Sequence, residues 1–223
     1  MSAIQNSARA VVLLSSGLDS TVNLYLAKES AEVVLALTFD YGQRAARREV
    51  KRSALIAQRA GIAHKIIDLK WFSQFTKTSL VNRAVAVPIK DSVSIADLEV
   101  SQATAKAVWV PNRNGIFLNI AAGFAEGLAA DWIVPGFNKE EAATFPDNTD
   151  DFLKAATSSF RFSTANHIKA VCFTTELNKT EIAQKGRALG APFELMWPCY
   201  FDGSEPCGEC ESCQRFRRAT QQG

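Results

Sequence analysis

Short apolar runs alternate with helical patterns along most of this chain. The runs are rich in β-branched residues, which is typical of strands that are covered on both faces. They lie at residues 10–14, 33–39, 65–69, 132–135 and 168–173. The helical patterns lie at residues 21–27, 44–60, 114–130, 150–165 and 179–189, and Gly61 is expected to end the second of them. This alternation predicts an α/β fold, a parallel sheet with helices on both faces.

Length and charge restrict the protein further. With 223 residues, of which 47% are hydrophobic, the chain can bury one substantial core. We expect one main domain, residues 1–195, with a small C-terminal segment, residues 196–223, packed on it. The net charge of +2 gives no general attraction to nucleic acid or to membranes. The sequence shows no signal-peptide pattern and no apolar stretch of the ~18 residues that a membrane span needs, so we expect a cytoplasmic protein.

Two further segments leave alternatives open. Residues 73–106 are polar and weakly patterned, and they predict either a long excursion near a site or a helical insertion. A basic series follows the second predicted strand. It either touches RNA or forms the solvated face of an amphipathic helix, which is the commoner outcome. The series comprises Arg44, Arg47, Arg48, Lys51 and Arg52.

A turn rich in hydroxyl groups, SSGLDS at residues 15–20, joins the first predicted strand to the first predicted helix. In open parallel sheets, ligands bind beyond the carboxyl ends of strands, where helix N-termini present unpaired N–H groups. Ser and Asp are also ordinary helix caps, so capping alone is the alternative. The turn contains neither a Walker lysine nor a G-x-G-x-x-G pattern. A phosphate bound here would be held by backbone N–H groups and hydroxyls.

Four of the five cysteines lie close together near the C-terminus. Cys199, Cys207, Cys210 and Cys213 form the pattern C-x7-C-x2-C-x2-C. Such a C-x2-C turn brings two thiolates to one zinc ion, and four sulfur ligands complete a tetrahedral structural site. Disulfides would require an oxidising compartment. We therefore predict structural zinc, and we interpret Cys172, which lies in an apolar run, as a small buried hydrophobic residue.

Two positively charged residues lie at the starts of predicted helices, where such residues are not expected. Arg113 and Asn114 open one predicted helix, and an arginine there favours phosphate or carboxylate binding over capping. Lys179 begins another helix, where a cation is unfavourable beside the positive end of the helix dipole. A negatively charged ligand would relieve that cost, so the sequence indicates an anion near Lys179.

Several short motifs together resemble one known family. SSGLDS is similar to the Ser-Gly-Gly-x-Asp-Ser loop of the ATP pyrophosphatase superfamily, whose members cleave ATP between its α and β phosphates. The remaining motifs are TFDYGQR at 38–44, VPNRN at 110–114, FPD at 145–147, NKTEI at 178–182 and the cysteine cluster. In this order they resemble the QueC family, which makes the nitrile 7-cyano-7-deazaguanine from 7-carboxy-7-deazaguanine, ammonia and ATP.

The resemblance implies a fold, a reaction and a set of site residues. The fold would be that of the adenine nucleotide alpha hydrolases, and the cofactors would be ATP, Mg²⁺ and structural Zn²⁺. The partners would be small-molecule substrates, with no stable nucleic-acid or membrane binding and with a homodimer as the assembly. The residues implied for ATP are Leu14, Ser15, Ser16, Gly17, Leu18, Asp19, Ser20 and Thr21. Those implied for the substrate are Asp40, Tyr41, Gln43, Arg44, Asn114, Phe145 and Asp147, and the catalytic ones are Asp19, Arg113 and Lys179.

The chain departs from the family pattern at several positions. The family has Gly where Ser16 stands and His where Ala45 stands, and Met196, Pro198 and residues 137–145 also differ. Two alternatives therefore remain at this point. One is a divergent relative that adenylates a different carboxylate or deazapurine and either stops at the amide or joins it to an amine. The other is a zinc-bearing RNA-binding protein without ATP chemistry.

Overall fold

The computed structural model describes residues 8–93 and 98–221, which form a parallel sheet with helices on both faces. Residues 1–7 of the expected main domain and residues 94–97 of the expected excursion lie outside the described residues. The strands are β1 (Arg9–Leu13), β2 (Glu32–Asp40), β3 (His64–Asp68), β4 (Trp132–Val134) and β5 (Lys169–Ala170). Their order is β3-β2-β1-β4-β5, and every neighbouring pair is parallel.

Eight α-helices connect or follow these strands in the described part of the chain. They are α1 (Leu18–Ser30), α2 (Ala46–Ala60), α3 (Leu98–Val108), α4 (Arg113–Gly127), α5 (Lys139–Ala142), α6 (Asp150–Ser163), α7 (Lys179–Ala188) and α8 (Glu211–Gln221). Short 3-10 turns occupy Lys70–Gln74, Lys90–Ser92, Pro146–Asn148 and Phe193–Leu195. The left-handed conformation of Gly61 ends α2, as the sequence predicts.

The central strands of the sheet are buried on both faces, which explains their continuous apolar runs. On β1, Val11 packs into a core cluster with α4 and α6, whereas Ala10 and Val12 pack into another with α1 and α2. All three side chains are fully buried. Since alternate residues of a strand face opposite sides, only an apolar run of this kind satisfies both faces. The predicted α/β class is confirmed.

The strand order reverses beside β1, and that reversal creates a crevice. The chain leaves β1 toward β2 on one side and later returns to β4 on the other side. Connections therefore diverge at the carboxyl end of β1, where ligands bind in open α/β sheets. The turn at residues 15–20 lies at this point.

The fifth strand is shorter than the sequence predicts. Residues 168–173 form an apolar run, but only Lys169–Ala170 is a strand. Beyond it, the Phe173 N–H donates to Asn23 Oδ1 at 2.9 Å. The Thr174 hydroxyl donates to the Phe137 carbonyl at 2.6 Å. Side chains thus replace the neighbouring strand as partners of the backbone.

The excursion at residues 73–106 contains a helix and reaches the C-terminal segment. Most of α3 belongs to it, so the helical-insertion alternative is supported. Ile89 forms an antiparallel bridge with Cys210, and the Lys90 N–H donates to the Glu209 carbonyl at 3.2 Å. The described part of the chain contains no helix that is long and apolar enough to cross a membrane.

Gly136, just after β4, lies against the start of α1. A Cβ atom at this position would lie 2.5 Å from Ser20 N and 2.8 Å from the Asp19 carbonyl carbon. Because both contacts are with backbone, a larger residue must push the helix start away. We expect Gly136→Ala to lower the free energy of unfolding by about 1–3 kcal/mol, measured by urea denaturation.

Gly123→Ala is the matched control. Gly123 is an exposed residue of α4 with nothing within 4 Å of the added Cβ. Alanine there should be neutral or should stabilise the protein by up to about 1 kcal/mol through helix propensity. Equal stability of the two variants would contradict the close approach at Gly136.

Candidate functional site

A pocket of about 260 Å³ opens at the carboxyl ends of the central strands. It brings together residues from the turn after β1, the loop after β2, the starts of α4 and α7, and the C-terminal segment. The predicted site residues that line it are Leu14, Ser15, Gly17, Leu18, Asp19, Ser20, Tyr41, Gln43, Arg113, Asn114, Phe145, Asp147 and Lys179. Cys199 of the cysteine cluster also lines it. Leu14 and Cys199, which are 185 positions apart in sequence, thus share one cavity.

The turn after β1 is braced by its own hydroxyl groups. Ser20 Oγ accepts from the Ser15 N–H at 3.1 Å and lies 3.0 Å from Ser15 Oγ. Gly17 is the N-cap of α1, and no side chain caps the helix. The first N–H groups of α1 therefore have no capping side chain, so the serines do not serve as ordinary caps. This arrangement leaves the positive end of α1 available to an anion in the pocket.

Ser16 adopts a conformation that favours glycine. Its φ angle is 62°, and its side chain is fully buried with Oγ lacking a hydrogen-bond partner. The Ser16 carbonyl accepts from the Trp197 N–H at 2.9 Å, which ties the turn to the C-terminal segment. Ser16 and Thr21, both predicted for ATP, lie behind the turn rather than on the pocket lining.

Lys179 is buried between two carboxylates. Its Nζ lies 2.7 Å from Asp19 Oδ2 and 2.7 Å from Glu141 Oε1, and its side chain is 6% exposed. Burial alone would lower the pKa of Lys179, but the charges of Asp19 and Glu141 outweigh it and raise the pKa. The Lys179 N–H also donates to Glu140 Oε1 at 2.9 Å. The carboxylates of Asp19 and Glu141 therefore already balance the positive charge of Lys179, for which the sequence predicts an anionic partner.

The pKa values of the two carboxylates around Lys179 shift in opposite directions. Burial raises the pKa of Asp19, although Lys179 opposes the shift. For Glu141, burial is outweighed by the charge of Lys179, and the pKa is lowered. Asp19 Oδ1 is buried without a hydrogen-bond partner. An unpartnered buried oxygen beside a cavity is a binding position for a donor or a cation.

Arg113 and Asp147 form a second charged group in the pocket. Burial raises the pKa of Asp147, and the charge of Arg113 opposes that rise. Arg113 Nε donates to Asn114 Oδ1 at 3.1 Å, and Asn114 Nδ2 donates to the Asp147 carbonyl at 3.3 Å. The start of α4 and the FPD motif are therefore held together. Next to them, Phe145 stacks on Trp109 with ring centroids 6.0 Å apart.

Asp40 and Arg44 were predicted to bind substrate, but the structure places both outside the pocket lining. Arg44 donates to the carbonyls of Ser79, Asn82 and Val85, so its guanidinium secures the excursion. Asp40 accepts from the Gly42 N–H at 3.1 Å and pairs with Lys70. Loop backbone and Lys70 therefore occupy these two side chains, and neither lines the pocket.

The basic series on α2 makes internal contacts. Arg47 and Arg48 both pair with Asp202, and the Arg48 guanidinium lies over the Trp197 ring. Together with Arg44, these residues hold the C-terminal segment and the excursion against α2. Lys51 is exposed. The structure therefore gives no support to an RNA-binding stripe.

Sequence reasoning missed Glu49 and Glu141. Glu49 lines the pocket, and burial raises its pKa to about 7 although Gln43 donates to Glu49 Oε2 at 2.8 Å. The available signal for Glu49 was its place in the first turn of a helix that follows the YGQR motif. For Glu141, the signal was an acidic pair, Glu140 and Glu141, in a loop after a predicted strand.

The four predicted cysteines form one cluster, whose sulfur atoms all lie within 4.8 Å of one another. The Cys207 N–H approaches Cys199 Sγ at 3.3 Å, and the Cys210 N–H approaches Cys207 Sγ at 3.4 Å. Backbone N–H groups of this kind stabilise thiolates, which are the form that binds zinc. The donor set and its spacing fit a tetrahedral zinc ion with four sulfur ligands.

A buried polar network connects the cysteine cluster to the pocket. Glu211, next to Cys210, pairs with Arg215 at 2.7 Å and accepts from the Thr104 hydroxyl of α3 at 3.1 Å. Arg215 in turn donates to Glu140 Oε2 at 2.9 Å. Glu140 also accepts from the Lys179 N–H. The C-terminal segment thus positions α5, the short helix that carries Glu140 and Glu141.

Comparison with known proteins assigns these features to a family. Residues 9–222 match the family described as queuosine biosynthesis protein QueC. The chain is 55% identical over 217 residues to the 7-cyano-7-deazaguanine synthase of Bdellovibrio bacteriovorus, covering 97% of this chain and 94% of that one. It is 47% identical to the synthase of Pelotomaculum thermopropionicum, covering 95% and 96%.

A solved structure supports the fold alone. A 4-thiouridine synthetase, solved in complex with RNA and ATP, superposes with a TM-score of 0.55 and 20% identity. The match covers 96% of this chain and 50% of that chain. At this identity the similarity concerns the arrangement of strands and helices.

The strain at Ser16 predicts that glycine is tolerated there. Because glycine adopts positive φ freely, Ser16→Gly should raise the free energy of unfolding by about 1 kcal/mol or leave it unchanged. Thermal and urea denaturation measure this change. Ser16→Ala, which keeps the strain and removes the hydroxyl, is the control and should not gain stability in the same way. A clear loss for Ser16→Gly would show that the hydroxyl has a role of its own.

Proposed function

Because the chain belongs to the QueC family and is a 7-cyano-7-deazaguanine synthase of queuosine biosynthesis, we propose that the pocket at the carboxyl ends of β1, β2 and β4 is its active site. There, ATP would activate the carboxylate of 7-carboxy-7-deazaguanine for attack by ammonia. One observation carries this assignment. The uncapped N-terminus of α1 and the buried ammonium of Lys179 meet at the same wall of the pocket.

The chemistry requires that a poor electrophile be activated twice. A carboxylate repels nucleophiles, and its oxide is a poor leaving group. Attachment of AMP to that oxygen converts it into a good leaving group, and attack by ammonia then yields the amide. A second adenylation on the amide oxygen, followed by proton loss from nitrogen, releases AMP and leaves the nitrile. The protein must hold ATP and substrate in line and exclude water from the adenylates.

The triphosphate fits the turn after β1. The first N–H groups of α1 would bind phosphate oxygens, and Lys179 and Arg113 would neutralise the departing pyrophosphate. These groups are held in position before a ligand binds. Two carboxylates hold Lys179, Ser20 holds the turn, and Asn114 accepts from Arg113. Preorganised positive groups stabilise charge that develops in the transition state without further rearrangement.

A magnesium ion fits beside this phosphate site. Mg²⁺ prefers carboxylate oxygens together with substrate phosphates. The buried Asp19 Oδ1 lacks a hydrogen-bond partner, so Asp19 is the proposed protein ligand. When bound, Mg²⁺ neutralises phosphate charge.

The deazapurine would lie against the other charged group. The ring of Phe145 offers a stacking surface, and the Asp147 carboxyl offers an acceptor for the N–H groups of a guanine-like edge. Arg113 and Asn114 fit a carboxylate or a ring oxygen. Tyr41 and Gln43 complete this part of the proposed site.

Zinc would act structurally in this proposal. All four ligand positions are filled by sulfur, so no open position remains for substrate. By fixing the segment before α8, the ion would hold Arg215 against Glu140 and thereby brace the wall that carries Lys179. We also predict that the enzyme is cytoplasmic, since a reducing compartment keeps the thiols available for zinc. From the family, we predict that it works as a homodimer.

Product analysis tests the proposal directly. Incubation with ATP, Mg²⁺, ammonium and 7-carboxy-7-deazaguanine should yield the nitrile, with AMP and pyrophosphate released, as measured by mass spectrometry. An amide without nitrile would contradict the second adenylation, and absence of AMP would contradict the entire mechanism. Omission of ATP is the control. Metal analysis of the same preparation should find one zinc per chain.

A further inference from the structure

Glu49 is a carboxylate of the pocket that the phosphate and deazapurine sites do not use. It lies in the first turn of α2, on the side of the cavity formed by the loop after β2. Gln43 Nε2 donates to its Oε2 at 2.8 Å. No hydrogen bond reaches Oε1 from the residues that the structure describes. One oxygen is thus fixed in direction, and the other is available to the cavity.

Gln43 is itself held on both sides. Its Oε1 accepts from the Tyr41 N–H at 2.9 Å, and its Nε2 also donates to the Phe39 carbonyl at 3.0 Å. The amide orientation is therefore fixed by backbone, and it presents an N–H group to Glu49. Because this amide holds Glu49 Oε2, Glu49 Oε1 can still accept a hydrogen bond from a molecule in the pocket.

The charged groups around Glu49 are few. Asp40 and Tyr41 face it from β2 and the following loop, and Arg113 faces it from α4. Burial raises the pKa of Glu49 to about 7, and Gln43 and Arg113 oppose that rise. Near neutral pH the carboxyl therefore exchanges a proton readily, which is the property of a general base.

The reaction needs such a base. Ammonia exists at neutral pH as ammonium, whose nitrogen has no lone pair available for attack. One proton must be removed before the C–N bond can form. The other carboxylates that line the pocket already have partners or roles. Asp19 and Glu141 pair with Lys179, and Glu211 pairs with Arg215. Asp147 is the proposed acceptor for the deazapurine.

We infer that Glu49 binds ammonium in the pocket and removes its proton as the general base of the amide-forming step. Ammonium donates one N–H to Glu49 Oε1, and that proton passes to the carboxylate. The nitrogen lone pair forms the C–N bond to the acyl carbon while the C–O bond to AMP breaks, and its electron pair leaves with AMP. A second proton passes from nitrogen to water, and Glu49 returns its proton to water before the next turnover. This inference rests on the proposed function.

Hydroxylamine separates the base from the remaining chemistry, because it is unprotonated at neutral pH and needs no base. We expect Glu49→Gln to lower the ammonia-dependent rate by about 10²- to 10⁴-fold. The hydroxylamine-dependent rate and the substrate-dependent ATP–pyrophosphate exchange should stay within about threefold of wild type.

In the wild type, the ammonia-dependent rate should rise with pH through about 7, since only ionised Glu49 accepts the proton. In the variant only free ammonia can attack, so the rate should rise in proportion to free ammonia and show no inflection near pH 7.

Glu29→Gln is the matched control, because it removes the same charge from an exposed position at the end of α1. It should change none of these rates. An unchanged ammonia-dependent rate in Glu49→Gln would overturn the inference, as would an equal loss with hydroxylamine, which indicates a structural role. Absence of ATP–pyrophosphate exchange in the wild type would instead contradict the proposed function itself.

Discussion

The buried ammonium of Lys179 is the interaction on which the site depends. It joins the start of α7 to Asp19 of α1 and to Glu141 of α5, with each oxygen 2.7 Å from Nζ. An isolated buried charge costs several kcal/mol, so the three elements must meet for any of these groups to be tolerated. Because Lys179 must meet Asp19, the start of α7 lies beside the uncapped N-terminus of α1 at the pocket.

Behind this contact, the C-terminal segment acts as a brace. The cysteine cluster fixes the chain before α8, and Arg215 of α8 reaches Glu140, which accepts from the Lys179 N–H. Trp197 meets the other side of the site by donating to the Ser16 carbonyl. The C-terminal segment therefore contacts the turn after β1 directly and reaches Lys179 through Glu140.

The sequence predicts the structural features that depend on local pattern. Alternating runs predict the sheet and place the turn at residues 15–20, and cysteine spacing predicts the metal cluster. Side-chain direction is set by distant segments, so it is harder to predict. Arg44 turns to the excursion carbonyls because residues 79–85 pack beside it. Glu49 was missed because its raised pKa arises from burial that only the folded chain supplies.

We propose that Lys179 and the turn after β1 hold the phosphates of ATP. Titration calorimetry of ATP binding to Lys179→Met tests it, with Lys185→Met, an exposed change on the same helix, as the control. Loss of a charge-assisted hydrogen bond is worth about 1.5–3 kcal/mol, so the affinity of Lys179→Met should fall by about 10- to 100-fold, more if Asp19 and Glu141 then repel phosphate. Lys185→Met should bind as wild type does. Equal ATP affinity in the two folded variants would contradict the account.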